Sequence, residues 1–184
     1  AGAEAAAANA PYRATTATMR AVHAPTTSLF VYGTLMAEEV LRPLIGRVPV
    51  RRVGTIFGFS RGCVRGEAFP AVLRTGADDQ VEGLLIEDLL PRELRALDYY
   101  EDDGYERVRV PVATADGDSV SAMCYLWPEE RCGEVELSRP WSYQDFREVL
   151  LEDFVREVVL PCAAEAAEVE RQRSGREPGT EPQV

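Results

Sequence analysis

The chain has 184 residues and carries 31 acids against 20 Lys and Arg, a net charge of −11. That length suits one ordinary domain with tails, and the charge excludes a nucleic-acid binder, because phosphate binding needs clustered Lys and Arg to displace counterions. A single histidine, His23, and four cysteines without a C-x-x-C pair exclude Ser-His or Cys-His catalysis, a histidine-rich metal site and a zinc knuckle.

Residues 1–27 are Ala/Thr-rich with Arg13 and Arg20 and one acid. They read as a disordered extension, a cloning remnant or an organelle-targeting segment. From Leu29 the pattern changes. "SLFVYGTLM" predicts a short buried strand stopped by Gly33, and "AEEVLRPLIG" a helix ended by Gly46. "VPVRRVGTIFGFS" and "FPAVLRT" are β-branched and aromatic, broken by glycines that suit bends in a curled sheet. "VEGLLI" predicts another strand, and residues 88–101 a helix with Pro91 in its first turn. "YERVRVPVAT" alternates, with Val108, Val110 and Val112 on one face, and "VSAMCYLW" is apolar on both faces. "SYQDFREVLLEDFVREVVLP" predicts a helix capped by Ser142, striped by Phe146, Leu150 and Phe154, and stopped by Pro161.

These elements predict an α+β domain over 28–160, a small mixed β-barrel-like sheet surrounded by helices. An acidic frayed-helix or disordered tail follows over 161–184. No apolar run approaches the ~18–20 residues of a membrane span, and Cys63, Cys124, Cys132 and Cys162 read as reduced thiols of a cytoplasmic protein unless the N-terminal segment targets an organelle. The oligomeric state is open.

"LDYYEDDGYER", residues 97–107, holds five carboxylates and three aromatic rings. At about 100° per residue, Leu90, Leu94, Leu97 and Glu101 fall within about one sixth of a helix circumference. Glu101 thus extends an apolar stripe, Asp98 flanks it, and Asp102 and Asp103 turn toward solvent. A carboxylate aimed at the interior has a raised pKa, suited to proton transfer near neutral pH. If the helix ends near Tyr99 instead, Glu101 is one more surface acid. "VYGTLM" presents successive backbone N–H groups at a glycine turn opening a helix, either a plain connection or a site for a carboxylate or oxyanion.

Four segments in order, "FVYGTLM", "GEAFPAVL", "LDYYEDDGYERVRV" and "WSYQDFREVLLEDF", resemble the gamma-glutamylcyclotransferase-like superfamily, in particular its plant avirulence-induced-gene-like branch. The resemblance runs from about Ser28 to Leu160. It implies that fold and a metal-free, cofactor-free acyltransferase/lyase. In this reaction a γ-glutamyl amide is cleaved by its own α-amino group, releasing 5-oxoproline, a chemistry that places the chain in or near glutathione metabolism.

The resemblance makes Glu101 the catalytic residue. It places the substrate loop on Tyr32, Gly33, Thr34, Leu35, Met36 and Ala37, and makes Tyr105 a further substrate-binding residue, able to hydrogen-bond Glu101 or the substrate. Asp102 stands where many relatives have glycine, and Phe69 where many have tyrosine. The implied partner is a small γ-glutamyl molecule whose leaving group stays open. The alternatives are a non-catalytic binding module with a stress or regulatory role, and an interaction protein whose acidic C-terminal region engages a basic partner.

Overall fold

The computed structural model describes residues 26–174, so the expectations for residues 1–25, His23 among them, and for 175–184 lie outside the described residues. Strand β1 (Thr27–Val31) leads through a 3-10 turn, Thr34–Met36, into helix α1 (Glu38–Ile45). There follow β2 (Arg51–Phe57), β3 (Phe59–Val64), β4 (Pro70–Arg74), β5 (Gln80–Leu89), helix α2 (Pro91–Glu101), β6 (Glu106–Thr114), β7 (Ser119–Leu126) and the short β8 (Val135–Glu136).

Five strands close into a barrel in the order β1-β5-β2-β6-β7. Its neighbours pair antiparallel except β1 and β7, which close it in parallel through Leu29–Met123 and Phe30–Cys124. A second sheet, β4-β3-β8, stands beside it. The α+β class and the barrel agree with the sequence; β8 and the separate second sheet carry no pattern long enough to announce them.

The closed barrel explains why β1 and β7 are apolar on both faces. Side chains alternate along a strand. Phe30, Ala122, Cys124 and Leu126 therefore point into the barrel with Ile56, Val110 and Val112, while Leu29, Val31 and Tyr125 face the helices with Leu41, Leu97 and Phe146. The Phe30 ring lies over Gly54 and Gly83, which pair across β2 and β5. A Cβ at Gly83 would stand 2.3 Å from the Val31 carbonyl oxygen and 2.8 Å from Phe30 Cζ, so β1 approaches β5 only because that position has no side chain.

Three elements depart from the sequence reading. Strand β5 runs on through Leu89, with Asp88 at φ 56, and α2 begins only at Pro91, leaving Leu90 as its cap. The buried Glu93 fixes that start: its carboxylate accepts from the Leu90 N–H at 2.9 Å and pairs with Arg47 at 2.6 Å. The C-terminal helix is capped by Ser142, whose hydroxyl accepts from the Asp145 N–H at 3.1 Å. It then runs through α3 (Tyr143–Asp145), a π turn (Phe146–Leu150), α4 (Leu151–Phe154), a second π turn (Val155–Val159) and α5 (Leu160–Ser174). Each π turn adds a residue to its loop, so the expected stripe slips by one. Leu151 is buried in place of Leu150, which is 41% exposed.

Pro161 does not stop this helix. The Leu160 N–H bonds Val155 O in the wider π spacing, and that widening just before the proline gives its ring room beside the preceding turn. Residues 160–174 dock on α2 rather than fraying. Ala166 is buried, Arg95 pairs with Glu170, and the Tyr99 hydroxyl donates to Glu165 at 3.0 Å. Among the described residues no helix is long and apolar enough to cross a membrane.

Candidate active site

Helix α2 carries Glu101 as its last residue, one turn beyond the fully buried Leu97. Leu97 packs into the core, and Glu101, on the same face, lines a cavity of about 280 Å³ between the open end of the barrel and the C-terminal helix. Asp98 sits on the flank, accepting from the Tyr125 hydroxyl at 2.8 Å and from Arg107 at 2.5 Å. Asp102 ends the helix at φ 52 and ψ −163 and lines the cavity beside Glu101.

The electrostatics separate Glu101 from its acidic neighbours. Burial first, and then the negative charge of Asp98, push its pKa up to about 8. Desolvation disfavours the charged form, and among the described residues no hydrogen bond to the carboxylate opposes it. Four tyrosines around it, Tyr32, Tyr100, Tyr105 and Tyr125, are pushed up as well, chiefly by burial, and remain neutral hydroxyls. Three of the hydroxyls donate hydrogen bonds: Tyr32 to Tyr125 O at 2.6 Å, Tyr105 to Pro70 O at 2.8 Å and Tyr125 to Asp98 at 2.8 Å. Tyr100 shares a hydrogen bond of 2.9 Å with the Thr34 hydroxyl. The Tyr105 hydroxyl thus faces Pro70 rather than Glu101.

Across the cavity lies the turn after β1. Met36 N–H donates to Gly33 O and Ala37 N–H to Thr34 O, both at 3.0 Å, closing the 3-10 turn. The N–H groups of Gly33, Thr34 and Leu35 have no protein acceptor among the described residues. Gly33 is pressed against β4, since a Cβ there would stand 2.9 Å from Pro70 Cγ. Arg61, on β3, donates to the Tyr32 carbonyl at 2.6 Å and lies 5.5 Å from the centre of the Trp141 ring.

Of the residues singled out in sequence, Glu101, Tyr32, Gly33, Thr34, Leu35 and Tyr105 line this one cavity. Met36 and Ala37 do not. The tight turn rotates both into the core between barrel and helices, where Ala37 is fully buried. The cavity also takes in Pro70, Tyr100, Tyr125, Trp127, Arg131, Phe154 and Val158, which sequence reasoning passed over. Tyr100 was the findable one, being next to Glu101 in an aromatic-rich acidic run. Phe154 lies on the stripe predicted for the C-terminal helix and packs on Phe146, and Val158 follows it by four residues. Among the described residues no group of His, Cys, Asp and Glu is placed to hold a metal ion. The cavity thus holds a carboxylic acid with a raised pKa and is shared by a turn whose Gly33, Thr34 and Leu35 N–H groups have no protein acceptor among the described residues.

The profile of the family described as gamma-glutamyl cyclotransferase, AIG2-like, matches residues 29–147. The chain is 30% identical over 131 residues to AIG2-like protein D of Arabidopsis thaliana, spanning 70% of this chain and 84% of that protein. It is 32% identical over 128 residues to AIG2-like protein C of the same plant, spanning 69% and 73%. A solution structure of an Arabidopsis thaliana protein superposes with a TM-score of 0.56 at 21% identity, over 88% of this chain and 96% of that one. A structure named gamma-glutamyl cyclotransferase gives 0.52 at 18% identity, over 87% and 93%. At those identities the likeness is one of fold.

Proposed function

The chain belongs to the gamma-glutamyl cyclotransferase, AIG2-like family, and from that premise we propose that it releases 5-oxoproline from a γ-glutamyl amide. The observation that carries the proposal is Glu101: an acid with its pKa near 8 in a cavity shared by a turn whose N–H groups have no protein acceptor among the described residues. Nucleophile and electrophile belong to one substrate molecule, so the site has to fold that molecule and move protons.

The ionised Glu101 takes a proton from the substrate's α-ammonium. The freed amine attacks the γ-carbonyl carbon, forming the ring C–N bond and an oxyanion. As the oxyanion collapses and the old C–N bond breaks, Glu101 gives that proton to the leaving nitrogen and takes the remaining extra proton from the ring nitrogen, which then departs with the released amine as its ammonium. The N–H groups of Gly33, Thr34 and Leu35 suit the α-carboxylate, whose charge needs donors already in place. The apolar and aromatic walls, Phe154, Val158 and Trp127 among them, keep water from the reacting carbonyl.

The test is a panel of γ-glutamyl amides with amino-acid, amine, lysine side-chain and peptide leaving groups, scored by 5-oxoproline. Wild-type protein should turn over at least one, and Glu101→Gln, which keeps the shape but cannot take the proton, should lose at least about a hundredfold in kcat. Undiminished turnover by Glu101→Gln sinks the assignment. A wild type that binds 5-oxoproline yet cleaves no member would be a binding module instead.

A further inference from the structure

An anion entering this cavity meets an unfavourable field. The protein is acidic throughout, and Glu101 and Asp102 are in the wall. Among the described residues one basic side chain lines the cavity, Arg131, and its guanidinium is already engaged: Nε and Nη2 donate to Glu134 at 3.1 and 2.8 Å. A carboxylate held by backbone N–H groups alone would have no cation to balance it.

Arg61 supplies the missing charge from behind the wall. Its Nη1 donates to the Tyr32 carbonyl at 2.6 Å and its guanidinium lies over the Trp141 ring. Among the described residues no carboxylate hydrogen-bonds it; Glu82 acts on it only through space. An arginine stays protonated under such conditions, so here is a part-buried guanidinium that no acid hydrogen-bonds among the described residues. The carbonyl it binds and the Gly33 N–H are two ends of one peptide unit. Charge drawn toward the Tyr32 oxygen leaves the Gly33 N–H a stronger donor, the cooperativity that links hydrogen bonds in series. That N–H belongs to a cavity-lining residue and has no protein acceptor among the described residues.

We propose that Arg61 is the specificity-determining cation of this site, acting through the Tyr32–Gly33 peptide to select ligands that present a carboxylate to the Gly33 N–H over those that present a neutral amide. It is a positioning residue, touching no reacting atom, and the proposal rests on the γ-glutamyl reading above. A purely structural Arg61, tying β3 to the end of β1, would weaken the fold without changing the preference between two ligands of equal shape. That preference is therefore the measurement.

Binding of 5-oxoproline and of its carboxamide is followed by tryptophan fluorescence, with Trp127 in the cavity wall as reporter. Wild type should prefer the carboxylate by about tenfold or more, as expected for a charge-assisted hydrogen bond. Arg61→Gln keeps a neutral donor for the Tyr32 carbonyl and should bring the ratio to within about twofold, while Arg61→Lys, with its charge but without the planar fork, should fall between. The same order should appear in KM, with kcat little changed.

A folded Arg61→Gln that keeps the wild-type ratio overturns the proposal. If that variant does not fold, Arg61→Lys decides alone, and an unchanged ratio there overturns it too. A wild type that releases 5-oxoproline but binds both ligands alike overturns this proposal and leaves the reaction standing. A wild type that binds neither ligand and cleaves no panel member removes the reading and this inference with it.

Discussion

At the scale of single residues, the role proposed for Glu101 links pH to both turnover and stability. In the proposed reaction it accepts a proton and so works only when ionised, and kcat/KM should climb about tenfold per pH unit up to about pH 8 and then level. A profile already flat from pH 5 upward would separate Glu101 from the chemistry. For stability the sign is opposite. The folded pKa lies above the ordinary value of 4.5, so the folded state holds the proton more tightly than the unfolded chain. The contribution is whole below about pH 4.5 and is lost as pH rises through 8. Glu101→Gln should therefore melt higher than wild type at pH 9, by several degrees for a gain on the order of 3 kcal/mol, and the advantage should shrink toward pH 4. An equal advantage at both pH values would count against the buried-acid account.

Asp102 is the second residue of consequence. Its φ of 52 with ψ near −163 is a region that glycine enters freely and other residues enter at a cost. Asp102→Gly should raise stability by about 1 kcal/mol, read as a small rise in Tm. The sequence singled out this position only as a departure from relatives; the backbone angle supplies the physical reason that glycine suits it.

At the scale of elements, the turn after β1 is pinned on three sides. Pro70 presses on Gly33, Arg61 holds the Tyr32 carbonyl, and the Thr34 hydroxyl bonds Tyr100. Gly33→Val places branched bulk where even a Cβ meets Pro70 at 2.9 Å. The turn or β4 must move, so KM should rise at least about tenfold while the barrel still forms, a prediction checked by substrate titration alongside circular dichroism. An unaltered KM would remove the turn from substrate binding.

Elements with one period were legible in the sequence. Val110 and Val112 are buried on the β6 face that alternation predicted, and Leu97 and Glu101 share the face that helical projection assigned. What escaped was geometry without a period. The π turns moved the inward position from Leu150 to Leu151. Arg61 escaped too, because its partner is a main-chain carbonyl, which leaves no mark on the spacing of side chains.

At the scale of the whole molecule, the C-terminal helix divides its work. Phe154 and Val158 belong to the cavity wall, whereas beyond residue 160 the helix packs on α2, through Glu165 and Glu170, and on α1. Removing residues 163–184 should therefore lower Tm while leaving KM for a turned-over substrate within about twofold, because the cavity lining stays intact. A loss of binding equal to the loss of stability would place the tail in the site.

The parallel seam between β1 and β7 also governs when the site can come into being. Strands β1 and β7 are the first and last of the barrel, and the turn that bears Gly33 hangs from β1. During synthesis β1 emerges early, but it cannot complete its pairing until β7 has left the ribosome. Until then its free edge is open to wrong partners. Closure joins distant parts of the chain, which makes it a slow, late event in folding. The turn after β1, carried on the first strand of the barrel, thus waits for the last strand of the barrel before it acquires its shape.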